Sequence, residues 1–90
     1  MSIKIISIRK TNHKLANKKT KTVNYGGQEI TVEINQNCLA IDKNGDLFSF
    51  KEEPEKDDIA EAWWSNENDG IFILEAEKFE GNWEESLLKI

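Results

Sequence analysis

Two glycine-centred turns, each flanked by strand-forming residues, constrain this 90-residue chain more than any other feature. Gly26-Gly27 separates Thr20-Lys21-Thr22-Val23-Asn24-Tyr25 from Gln28-Glu29-Ile30-Thr31-Val32-Glu33-Ile34. The second flank alternates, with Ile30, Val32 and Ile34 on one face, the period of a half-buried strand. Two glycines reach the positive φ angles of a two-residue hairpin turn without steric cost. That loop length sets Val23 opposite Ile30 and Tyr25 opposite Gln28. Asn44-Gly45 is the favoured type I′ pair and separates Leu39–Lys43 from Asp46–Phe50. A two-residue loop there sets Lys43 opposite Asp46, Ile41 opposite Phe48 and Leu39 opposite Phe50. One face is then apolar and ends in an opposite-charge pair.

Ile3–Ile8 and Ile71–Leu74 read as further strands. The only proline, Pro54, lies in the acidic stretch Lys51–Asp58 and excludes a central strand there. Ile59, Ala62 and Trp63 are spaced like one helical face, so a short helix or turn after Pro54 is one reading. Trp63-Trp64 as a strand is the other. In a strand the two rings project to opposite sides, which leaves one of them exposed. Ser65–Gly70 is a polar loop, and Trp83–Leu88 reads as one helical turn before a short end. Roughly six to eight short strands with turn signals between them predict a mainly β (β-rich α+β) architecture. The expected form is a small antiparallel meander sheet or open barrel with one or two short helices, built as a single domain over residues 1–90. A chain of this size buries roughly 60–65% of its unfolded surface. Its 38% hydrophobic content supplies a thin core without staples.

Cys38 is the single cysteine, so no internal disulfide forms and a reducing, cytoplasmic location is expected. No apolar run approaches the ~20 residues of a membrane span, and Met1–Ile6 has no signal-peptide character. No membrane partner is therefore expected.

Catalytic constellations are sparse. The single histidine, His13, has no Ser or Cys near it in sequence, and Cys38 lies beyond a hairpin. Cys38 reads as a small apolar residue at a strand start. Cys and His together number two, short of a zinc set. The runs Glu52/Glu53/Glu55, Asp57/Asp58 and Glu84/Glu85 look solvated, unlike the buried acid of a glycosidase. Asp42-x-Asn44-Gly45-Asp46 resembles a calcium loop, but Leu47 stands where that loop needs glycine. Neither glycine-rich phosphate motif is present. A non-enzymatic protein without cofactor or metal is expected.

Charge is divided unevenly. Residues 1–25 hold seven Lys/Arg and no Asp/Glu, whereas residues 26–90 hold five Lys and 17 Asp/Glu, so +7 and −12 give the net −5. Two surfaces follow. Lys14, Lys18, Lys19 and Lys21, with Lys10, Asn12, His13 and Asn17 nearby, form a candidate phosphate-contacting segment for nucleic acid, although no aromatic precedes Tyr25 for base stacking. Lysines there also suit an edge strand, through which two copies can pair. The second candidate is acidic: Glu53, Glu55, Asp57, Asp58 and Glu61 with Trp63 and Trp64. Carboxylates around an exposed tryptophan suit a partner protein with a basic surface, including one that itself binds nucleic acid.

Ala40 through Phe50, Glu53-Pro54, Trp63-Trp64 and the closing Trp83-x-x-Ser86-Leu87 form one further pattern. On these residues the stretch 34–90 resembles small accessory proteins of tailed phages and prophages. The resemblance implies a β-rich domain, no catalytic residues, and a role such as inhibition of a host enzyme or a defence system, anti-CRISPR-like or in host takeover. The basic N-terminal segment lies outside it.

Overall fold

The computed structural model describes residues 3–12, 19–66 and 70–90. Its strands are β1 (Lys4–Thr11), β2 (Thr20–Tyr25), β3 (Gln28–Glu33), β4 (Cys38–Ile41), β5 (Asp46–Phe50), β6 (Glu55–Asp57), β7 (Ala62–Trp64), β8 (Ile71–Glu80) and β9 (Leu88–Lys89), with one 3₁₀ turn at Trp83–Glu85. The main sheet has the order β1-β8-β5-β4-β9, and β2–β3 and β6–β7 are separate two-stranded ribbons. All pairings are antiparallel. The architecture is mainly β, as expected, and no barrel closes among the described residues. It is only partly a meander. The ten-residue β8 takes β5 on one side and the N-terminal β1 on the other.

The first hairpin forms in the expected register, Val23 opposite Ile30 and Tyr25 opposite Gln28. Gly26 and Gly27 take φ of 62° and 79°, the left-handed values the turn requires. Tyr25, Ile30 and Val32 face the main core. Ile34 does not continue that face. β3 ends at Glu33, the chain turns, and Ile34 is 52% exposed.

The second hairpin differs from expectation by one residue. Ile41 faces Leu47, Ala40 faces Phe48 and Cys38 faces Phe50. The loop is three residues long. Gly45 N–H donates to Asp42 O and Asp42 N–H to Asp46 O, both at 2.9 Å, with Gly45 at φ 100°. This is the type I turn with a left-handed glycine that competes with the two-residue loop. Lys43 therefore does not face Asp46. The shift turns the side chains of β5 to the opposite face relative to those of β4. Leu39, Ile41 and Leu47 enter the main core at 0% exposure, each contributing about 1.5–3 kcal/mol by burial. Phe48 and Phe50 turn to the other face, with Cys38 and Ala40. β4 is thus buried on both sides, and Cys38 is a buried apolar residue at its start.

β9 pairs with β4 only at Cys38 and Leu39. Ser86 completes that edge: its Oγ accepts from Ile41 N–H at 3.0 Å and donates to Ile41 O at 3.1 Å. Tyr25 OH donates to Ser86 O at 2.7 Å, which fastens the β2–β3 ribbon to the same point. Burial raises the tyrosine pKa, with the Ser86 hydrogen bond opposing.

Candidate protein-docking site

Pro54 is buried where the chain leaves the main sheet, and β6 and β7 then pair Glu55 with Trp64, Lys56 with Trp63 and Asp57 with Ala62. Of the readings for this segment, the strand holds at Trp63-Trp64 and a turn, not a helix, precedes it. The reversal lies at Asp58–Glu61, where Asp57 Oδ1 accepts from Ile59 N–H and Ala60 N–H at 3.0 Å each. Aspartate side chains stabilise turns in this way. Glu61 closes the turn at φ 56°, a conformation that costs a non-glycine residue about 1–3 kcal/mol. Lys43 holds it there, donating its N–H to Glu61 O at 3.1 Å and its Nζ to Glu61 Oε2 at 2.7 Å. Ile59, read as part of a helical apolar face, stands at the ribbon tip 96% exposed.

The two tryptophans alternate as a strand requires. Trp63 is half-buried, packs on both core clusters, meets Trp83 edge-to-face at 6.3 Å and donates its indole N–H to Trp83 O at 3.2 Å. It anchors the ribbon to the body. Trp64 faces outward and is 44% exposed.

The other acidic candidates separate by role. Glu53 is exposed and pairs with Lys89 Nζ at 3.0 Å. Asp57 is half-buried and shapes the turn, and Glu61 is held by Lys43. Glu55 and Asp58 are exposed beside Trp64 and Ile59. Lys56 reaches Glu84 at 3.8 Å, which ties the ribbon to the 3₁₀ turn. Within residues 53–61 five carboxylates face one lysine. Of the lysine segment, Lys14, Lys18 and His13 lie outside the described residues. Lys19 is exposed before β2, and Lys21 is half-buried opposite Val32.

Sequence reasoning missed Asp42, which reads only as the start of a turn. It is 8% exposed, and its Oδ1 accepts from Trp63 N–H at 2.8 Å. Burial raises its pKa from 3.8 to about 6; the Trp63 hydrogen bond opposes the rise and the nearby Asp46 charge adds to it. Two cavities meet at this side chain. One, of about 370 Å³, is lined by Asp42, Lys43, Asn44, Ala60, Glu61 and Ala62. The other, of about 170 Å³, is lined by Asp42, Phe48, Phe50, Trp63, Trp64, Ser65 and Gly70. The second opens on the aromatic face of the sheet, where Phe48 meets Phe72 edge-to-face at 5.8 Å.

Fold and surface together define a small antiparallel β protein carrying an acidic ribbon with an apolar tip. Among the described residues no group of three or more His, Cys, Asp or Glu is placed to hold a metal ion. No helix among them is long and apolar enough to cross a membrane. Compared with protein-family models, curated proteins and solved structures, the chain matches none of them.

Proposed function

We propose that this chain is a non-enzymatic binding protein that docks on a basic surface of a host or defence-system protein and inhibits it. This is the role of a phage or prophage accessory protein in the bacterial cytoplasm. The observation that carries the reading is the β6–β7 ribbon. It projects Ile59, 96% exposed, and Trp64, 44% exposed, among Glu55, Asp58 and Glu61. Exposed aromatic and aliphatic anchors supply contact energy, and surrounding carboxylates select a basic partner and speed encounter.

The test is capture from bacterial lysate with the tagged chain, with and without nuclease, followed by identification and an activity assay on the captured protein. One protein that survives nuclease, loses activity on titration with the chain, and is released by charge reversal at Glu55 and Asp58 supports the reading. Capture abolished by nuclease transfers the function to nucleic acid and to Lys14, Lys18, Lys19 and Lys21.

A further inference from the structure

We infer that the cavity lined by Asp42, Phe48, Phe50, Trp63 and Trp64 receives an arginine side chain of the partner protein. The inference rests on the docking reading above and names what that surface grips.

The cavity, about 170 Å³, is of side-chain size, and one wall is the outward-facing Trp64. Phe48, Phe50 and Trp63 line it too, beside Ser65 and Gly70, and the faces of aromatic rings carry negative quadrupole density and attract cations. The same sheet face already hosts one: Lys10 Nζ lies 5.9 Å from the Phe72 ring centre. Phe72 in turn packs on Phe48, which lines the cavity.

Asp42 decides between an apolar and a cationic occupant. It is more than nine-tenths buried, and its Oδ1 holds a hydrogen bond from Trp63 N–H. A carboxylate accepts about four hydrogen bonds, so acceptor capacity remains. A purely apolar side chain would desolvate that carboxylate without compensation. A cation compensates it. Arginine fits better than lysine because its planar group stacks on rings, is weakly hydrated and bonds a carboxylate through two N–H groups. Gly70 packs closely on the Phe50 and Phe48 rings. A Cβ at that position would lie 3.0 Å from Phe50 Cε2. Glu55, directly across from Trp64 on the ribbon, adds negative charge near the rim.

The experiment uses the intact, isotopically labelled chain titrated with N-acetyl-arginine methylamide, reading the indole N–H signals of Trp63 and Trp64 and the Gly70 amide by NMR. The expected result is a saturable shift with a Kd on the order of 1–10 mM. The citrulline counterpart, which has the same shape without charge, should bind roughly tenfold or more weakly. Asp42→Asn and, on an exposed residue, Trp64→Ala should each weaken arginine binding roughly tenfold. No saturable shift, equal binding of citrulline, or unchanged binding by Trp64→Ala overturns the inference. The titration needs no partner protein. A failed lysate capture therefore leaves a positive titration standing, whereas a failed titration with capture intact overturns the arginine receptor alone.

Discussion

Asp42 Oδ1 accepts a hydrogen bond from Trp63 N–H at 2.8 Å, joining the β4–β5 turn to β7. The carboxylate is buried at the base of the ribbon, and its folded-state pKa of about 6 stands above the ordinary 3.8. Between those values the folded chain binds more protons than the unfolded one. The group's contribution to stability is therefore present at low pH and lost as pH rises through about 6. Two pKa units correspond to at most about 3 kcal/mol. Asp42→Asn keeps an oxygen acceptor for Trp63 and removes the titration. Urea unfolding of both proteins across about pH 4–8 should show the variant gaining on the wild type as pH rises, and at least equal to it at neutral pH.

Ser86 satisfies both backbone groups of Ile41 where β9 is too short to reach. Ser86→Ala leaves a buried donor and a buried acceptor without partners. A loss of about 2–3 kcal/mol follows, read as a lowered urea midpoint at unchanged slope.

Gly45 sits at φ 100°, and a Cβ there would come within 2.2 Å of Ala76 O. Gly45→Ala must displace β8 or open the turn. The expected cost is about 2–4 kcal/mol by thermal or urea unfolding.

Glu55 and Asp58 are exposed beside the ribbon tip, whereas Asp57 is committed to the turn. Glu55→Lys with Asp58→Lys should change stability by less than about 0.5 kcal/mol. The same pair should weaken partner binding and flatten its dependence on salt. Unchanged affinity in a calorimetric titration would exclude the ribbon as the contact.

Part of the surface chemistry was legible residue by residue. On the strand reading, alternation requires one exposed tryptophan at Trp63-Trp64, and the acidic run lies beside it. The assignment to Trp64 and the capture of Glu61 by Lys43 were not legible. They depend on Trp83 and on the β4–β5 turn, which are distant in sequence. Asp42 was illegible for the same reason. Nothing local distinguishes an aspartate that starts a turn in water from one that a later ribbon covers.

The amino-acid sequence by itself determined the two glycine reversals and the strands that flank them, because period-two patterning and glycine's access to positive φ are local properties. The Gly26-Gly27 register follows from them. The tertiary structure decided between the two loops open to Asn44-Gly45. Three residues won, with Ala76 N–H bonded to Gly45 O at 2.8 Å. That register lets the main core take Leu39, Ile41 and Leu47 while Phe48 and Phe50 build the opposite face. With both faces apolar, pattern alone cannot choose between registers one residue apart. Packing can, because only one of them fills both sides of the sheet.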